Sequence, residues 1–355
     1  MVLAMLGRNA EPAEPDEVQT YSWNLPKGFP KPHVPADNPM TAAKIELGRY
    51  LFYDTRMSVN RKASCATCHQ QEFAFTDSRA ASIGATGQPH SRSAMSLVNV
   101  AYSAALTWSN PRMKKLEDQV LAPMFGDHPV ELGLREGDGF LPMLHSDPKY
   151  QLLFERAFPG DADPFTVKKV AKALAAFERS IISARSPYDR YHYGGEDTAV
   201  SDSAKRGEIL FFNQHLSCFR CHGGFNFSDA TVSENNAGRE IEFHNTGLYK
   251  IAGMLSYPAP NVGTYEYTRI AADVGKFKAP TLRNIAITAP YMHDGSEKTL
   301  TQVVDYYAGG ANSNPQLDPA IRAIQLTAQD RADLVAFLEA LTGNTPPDSG
   351  PPTSE

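Results

Sequence analysis

Cys65-Ala66-Thr67-Cys68-His69 and Cys218-Phe219-Arg220-Cys221-His222 decide the reading of this chain. In a Cys-x-x-Cys-His run the two thiols are spaced to form thioether bonds to the vinyl groups of a haem. The histidine after them is placed to bind the iron from the proximal side. All four cysteines of the 355-residue chain fall in these two runs, so none is left for a disulfide. Competing readings are a pair of redox Cys-x-x-Cys motifs, or one tetrahedral zinc site that takes all four thiolates. Neither needs a histidine directly after each second cysteine, and here it occurs twice. The sequence therefore predicts two covalently attached c-type haems, one on Cys65, Cys68 and His69, the other on Cys218, Cys221 and His222.

Each motif has a similar lead-in. Ala43-Lys44 and Gly48-Arg49-Tyr50-Leu51-Phe52 precede the first, and Ala204-Lys205 and Gly207-Glu208-Ile209-Leu210-Phe211 precede the second. Both lead-ins read as short amphipathic helices entering an attachment loop, which makes a weak internal repeat. Val167, Val170, Leu174, Phe177 and Ile181 recur at helical steps and form one apolar stripe. Thr299 to Tyr307 and Ala328 to Leu341 read as two more helices, the second ended by Gly343 and the prolines beyond it. Strand-like alternation is scarce. The predicted fold is mainly α, with two cytochrome c-like haem domains packed against each other and long connecting loops.

The expected domains are an extended N-terminal lead-in over 1–40, proline-rich from Pro26 to Pro39, a first haem domain over 41–190 and a second over 200–345. A flexible Pro/Ser tail occupies 346–355. The polar, glycine-containing stretch from Ser183 to Ser203 is the expected link. Asp229 to Arg269 reads as a long loop over the second haem.

Composition bounds the partners. A net charge of -6 with no Lys/Arg blocks argues against nucleic acid, which requires a basic stripe. No run of 18 or more apolar residues occurs, so no membrane span is predicted. Attachment of c-type haems is an export-side process, so the expected compartment is the periplasm. Met1 to Asn9 carries a short apolar patch without a basic start, and an export signal is expected upstream of this numbering.

A haem that only carries electrons usually has a strong sixth ligand, whereas one that reacts with peroxide needs an open distal face and an acid/base group beside it. Composition and spacing do not select these residues among the other histidines, methionines and tyrosines. Phe277-Lys278-Ala279-Pro280-Thr281-Leu282-Arg283-Asn284 and Ala289-Pro290-Tyr291-Met292-His293-Asp294-Gly295, with both haem motifs in order, resemble the bacterial di-haem cytochrome c peroxidase and MauG family over roughly Lys44 to Gly343.

The resemblance implies a peroxide site at the His69 haem, in the first domain. By similarity to Pro123-Met124-Phe125 and Pro129-Val130-Glu131-Leu132, Glu131 is the expected acid/base and Pro123 a distal-pocket residue. Trp108 matches the family's tryptophan between the haems, although the Asp-Gly usual after it is missing; Trp23 is expected to be a plain packing residue. Peroxidases that need reductive activation block the first iron with a histidine after the first motif. Ala85 stands at that position, with His90 nearby.

Tyr307 falls where the second haem's distal ligand belongs, a methionine in those peroxidases and a tyrosine in MauG, with Tyr306 as the fallback. A family calcium ion, bound largely by backbone carbonyls, would sit at Thr288 and Pro290, where Ser93 replaces a helping asparagine and is the weaker oxygen donor.

Taken together, the resemblance implies an enzyme that uses hydrogen peroxide to reach a high-valent di-haem state and oxidises an external protein at long range. Trp23-Asn24-Leu25-Pro26-Lys27-Gly28-Phe29-Pro30 and Asn38-Pro39-Met40 look most like the MbnH-like branch. That implies oxidation of tryptophan to kynurenine on an MbnP-like copper-binding partner. The alternatives are a cytochrome c peroxidase drawing electrons from a small cytochrome or cupredoxin, and a non-catalytic di-haem electron-transfer cytochrome with two six-coordinate haems.

Overall fold

Gly48 and Gly207, the glycines of the weak repeat, occupy equivalent places in two helix pairs. The computed structural model describes residues 21–135, 137–251, 257–345 and 349–352. Helix Ala42–Tyr53 crosses helix Val167–Ser180 so closely that a Cβ on Gly48 would lie 2.0 Å from the Ala173 carbonyl oxygen. Helix Asp202–Phe211 crosses helix Ala328–Glu339 the same way, and a Cβ on Gly207 would lie 1.9 Å from the Asp333 carbonyl oxygen. Backbone contact at that range is open only to a residue without a side chain. One ring pair completes each crossing, Phe52 on Phe177 and Phe211 on Phe337, both with centroids 5.0 Å apart.

Each pair carries its own apolar cluster. Leu47, Leu51, Phe52, Phe75, Phe154, Leu174 and Phe177 belong to the first, and Tyr188, Phe211, Phe227, Val304, Leu334 and Phe337 to the second. Burying an aliphatic or aromatic side chain of this size contributes roughly 1.5–3 kcal/mol. A smaller cluster of Phe29, Tyr102 and Ala184, with Phe225 against it, ties the N-terminal segment to both. The principal helices start at a hydroxyl cap: Thr41, Thr166, Ser201, Thr299 and Thr327 each accept from the backbone N–H three residues on.

The three helices expected from periodicity are present as Val167–Ser180, Leu300–Ala308 and Ala328–Glu339. Among the described residues β pairing is limited to isolated bridges, and no helix is long and apolar enough to cross a membrane. Between Ser183 and Ser203, where a polar link is expected, helix Pro187–His192 turns Tyr188 into the second cluster, against Phe227 and Phe337. Its outward face is polar, which is why composition alone makes it look like a linker.

The N-terminal lead-in is irregular from residue 21 on but anchored, because Phe29 is buried and Tyr102 donates its hydroxyl hydrogen to the Pro30 carbonyl at 2.7 Å. Of the predicted tail, Ser349 is buried and its carbonyl accepts from the Tyr53 hydroxyl at 2.7 Å. The first twenty residues, 346–348 and 353–355 lie outside the described residues, as do 252–256 of the predicted loop.

Candidate functional site

Each histidine next to a cysteine pair is held through one ring nitrogen. His69 Nδ1 lies 2.8 Å from the Phe75 carbonyl oxygen, and His222 Nδ1 lies 3.2 Å from that of Phe227. Donation from Nδ1 fixes the ring and assigns Nε2 to a metal. Phe75 and Phe227 have φ of 60° and 50°, left-handed turns that fold the chain after each motif back onto its histidine. Burial lowers both imidazoles below their ordinary value, so they are neutral at pH 7, the form that ligates iron.

The thiols are pushed the other way by burial, Cys68 and Cys218 to about 11, so they are not standing thiolates. Cys65 packs on the first apolar cluster and Cys218 on the second. Among the described residues, the one group of His, Cys, Asp and Glu near enough to share a metal ion is Cys221, Asp229 and His244. It holds a single cysteine, which removes the reading of one four-thiolate zinc site. Paired thiols beside an oriented, neutral histidine fit a covalently bound haem at both places.

Behind the second motif is a largely apolar cavity of about 290 Å³, lined by Cys218, Cys221, His222 and Tyr307 together with Leu282, Leu300, Val304 and Leu334. Tyr307 comes from helix Leu300–Ala308. Its phenol is held well above the ordinary range by burial, so an anionic form needs a cation beside it. Tyr306, the fallback, spends its hydroxyl on the Thr246 carbonyl at 2.7 Å and is not part of the cavity wall. Met95 and Met292 also line the cavity.

Trp108 lines the same cavity. Its indole donates to the Ser93 carbonyl at 2.9 Å and its own carbonyl accepts from Lys278 N at 2.9 Å. Ser93, Thr288 and Pro290, the expected calcium positions, share this cavity wall. The Ser93 hydroxyl is engaged by the Met292 and His293 carbonyls at 3.2 and 3.4 Å, and that of Thr288 by Ile285 at 3.1 Å. Trp23 packs edge-on to Tyr21 in the N-terminal segment.

On the first side, Leu132 N donates to the Pro123 carbonyl at 2.9 Å and Leu134 N to that of Met124 at 2.8 Å, so the strip carrying Glu131 runs back along helix Leu121–Phe125. Gly84 admits it, since a Cβ there would lie 1.9 Å from the Val130 carbonyl oxygen. Glu131 is half-exposed, and its charge is felt at Cys65, Cys68 and His69. His90 Nε2 lies 3.2 Å from Glu131 Oε1. The sequence sets His90 beside the position of an iron-blocking histidine, but the structure pairs it with the glutamate. Ala85 packs on the first cluster and its N–H donates to the Glu131 carbonyl at 2.6 Å.

Two features escaped sequence reasoning. His244 is clamped by Asp229 on Nε2 and Asp318 on Nδ1, each at 2.7 Å, beside the second cavity. Burial alone would push this imidazole down, but hydrogen bonds to the two carboxylates outweigh it and hold it well above its ordinary value. The run Phe277–Asn284 serves to knit. Lys278 N holds the Trp108 carbonyl, Thr281 Oγ1 donates to the Asn226 carbonyl at 2.7 Å, and Arg283 Nε donates to that of Phe225 at 2.9 Å.

Two attachment loops, each with its own backbone-held histidine and its own helix crossing, define a di-haem c-type cytochrome. A family model for di-haem cytochrome c peroxidase matches residues 42–198. MauG of Methylorubrum extorquens is 33% identical over 321 residues, 90% of this chain and 83% of its own. Cytochrome c551 peroxidase of Pseudomonas aeruginosa is 30% identical, covering 87% of this chain and 81% of its own. Among solved structures, a MauG-like protein associated with microbial copper homeostasis matches with a TM-score of 0.87 at 42% identity, over 91% of this chain and 96% of that one.

The chain belongs to the family of di-haem cytochrome c peroxidases and MauG. It is accordingly a haem-dependent oxidoreductase that uses peroxide and carries two covalently bound haems.

Proposed function

We propose that this protein is a periplasmic, MauG- and MbnH-like oxidoreductase in which hydrogen peroxide oxidises a partner protein at long range. The observation that carries the reading is Tyr307, a half-buried phenol on the wall of the cavity that also holds His222 and the Cys218/Cys221 pair. When bound, the haems supply the two-electron reduction of peroxide and hold the oxidising equivalents that result. Phenolate ligation favours oxidised iron over reduced iron, and thioether ligation does the reverse.

The rest of the work falls to the chain. His69 and His222 would hold the irons through Nε2, with rings set by Phe75 and Phe227. Glu131, next to the Leu132 that is tied to Pro123 and itself paired with His90, moves the proton at the peroxide site. With Ala85 where a blocking histidine would stand, that site needs no reductive opening. Trp108 carries charge between the two centres. In this reading residues 41–190 and 200–345 are two packed haem domains, and Ser93, Thr288 and Pro290 offer oxygen ligands to a calcium ion between them.

The substrate we infer is a tryptophan, converted to kynurenine, on an MbnP-like copper-binding partner. The 42% identity with a protein associated with copper homeostasis supports it. Titration of the ferric holoprotein with stoichiometric hydrogen peroxide, without reductant, tests the function. A long-lived optical and EPR change involving both haems is expected. Silence until one haem is reduced would transfer the protein to the cytochrome c peroxidases, with a small cytochrome or cupredoxin as donor.

A further inference from the structure

A file of aromatic rings leads away from Trp108. The His293 ring stands 6.4 Å from the indole, centroid to centroid, and Tyr249 stands 5.9 Å beyond it. His293 is buried and stacked face to face on Phe277 at 3.8 Å, which fixes its plane. Burial pushes this imidazole down to about 4, so it adds no charge to the path. Tyr249 itself is half-buried and is followed by the exposed Lys250.

The Tyr249 hydroxyl is equipped for oxidation. A phenol that gives up an electron becomes a strong acid and needs a base within hydrogen-bond reach. Tyr249 donates to Asp294 Oδ2 at 2.8 Å, accepts from Asn261 Nδ2 at 2.9 Å and has His293 Nε2 at 3.3 Å. The next ring, Tyr257, lies 5.5 Å further on, but it is buried and its hydroxyl faces the Asn245 and Asn314 amides, with no carboxylate. A hole that reaches Tyr249 therefore has a carboxylate to take the proton, whereas among the described residues Tyr257 has none.

We propose that Tyr249, with Asp294 as its proton acceptor, is a redox-active exit site through which oxidising equivalents leave Trp108 for the protein surface. This rests on the peroxide-driven function proposed above. One electron passes from the Tyr249 ring to oxidised Trp108, and the phenolic proton moves to Asp294. The products are a neutral tyrosyl radical, a restored indole and a protonated carboxyl group. Hydrogen peroxide is the oxidant, and each molecule supplies two such equivalents. A partner ring docked over Tyr249 returns the electron, and Asp294 returns the proton.

The test is freeze-quench EPR of the holoenzyme mixed with stoichiometric hydrogen peroxide, with haem absorbance followed in parallel. An organic radical is expected that narrows when the protein is grown on ring-deuterated tyrosine, falls at least tenfold in Tyr249→Phe and persists in Tyr257→Phe. The labelling is done on the wild-type chain, so it is informative even if the phenylalanine variant folds poorly. A radical indifferent to tyrosine labelling, or undiminished in Tyr249→Phe, overturns the exit site while leaving the parent reading intact. Haem absorbance that does not respond to peroxide overturns the parent reading, and the exit site with it.

Discussion

Arg283 Nη1 lies 2.7 Å from both carboxylate oxygens of Asp189, and the two side chains are only 1% and 3% exposed. The guanidinium also sits over the rings of Phe29 and Phe227, at 4.7 and 5.3 Å. The arginine of the Phe277–Asn284 run thereby joins the N-terminal segment, helix Pro187–His192 and the loop after the second haem motif.

Arg283→Met leaves the Asp189 carboxylate buried without its cation. Loss of one partner of such a pair costs about 3–5 kcal/mol. Urea denaturation of the holoprotein is expected to show a loss of that order, and Asp189→Asn a loss of similar size. A variant as stable as wild type would show that the pair is dispensable.

His244→Gln tests the clamped imidazole through pH. Asp229 and Asp318 raise its folded value well above the ordinary 6.5, so its stabilisation is complete below about pH 6.5 and is lost as pH rises through the folded value. The margin of wild type over the variant should shrink by about 1.4 kcal/mol per pH unit above neutrality. Denaturation at pH 6, 8 and 10 checks the slope, and a margin that widened with pH would refute the charge assignment.

Gly48→Ala and Gly207→Ala each push a methyl group onto a facing carbonyl, at 2.0 and 1.9 Å in the undisturbed structure. Overpacking of this kind typically costs about 1–3 kcal/mol. Melting temperatures should fall in both variants, and the haem content of the purified protein is the companion measurement.

Glu131→Gln keeps the shape of the side chain and removes its proton chemistry. Peroxide should react about 10²- to 10⁴-fold more slowly in stopped-flow mixing. His90→Leu leaves the carboxyl group in place without its 3.2 Å partner, so a smaller loss is expected. Equal rates in Glu131→Gln and wild type would remove Glu131 from the mechanism.

Tyr307→Phe deletes one oxygen from the second cavity. The ferric spectrum of that haem and its reduction potential should both change, and the peroxide-oxidised protein should decay faster. Tyr306→Phe, which loses only the hydrogen bond to Thr246, should leave the spectrum unaltered.

The features legible in the sequence are contiguous ones. The haem motifs, the glycines of the repeat and the stripe from Val167 to Ile181 are local patterns, and each names its own partner class. Helix Pro187–His192 is readable in principle, because Pro187 in the first turn and the Ser186/Asp189 capping box mark its start. Its polar composition masks that signal. The His90–Glu131 pair joins residues 41 apart, His244 meets carboxylates 15 and 74 residues away, and Tyr249 finds Asp294 across 45. Such pairings depend on how the loops close over the helix crossings, for which one sequence carries no periodic signal.

The indole N–H of Trp108 clasps Ser93 while its carbonyl clasps Lys278, and Ser93 N donates in turn to the His293 carbonyl at 2.9 Å. An ordinary substitution at Trp108 would therefore alter wiring and scaffolding together, and slower turnover in a phenylalanine variant could not be assigned to either. Ring-fluorinated tryptophan separates them, since it shifts the ease of oxidation of the indole while keeping the N–H that ties these segments together.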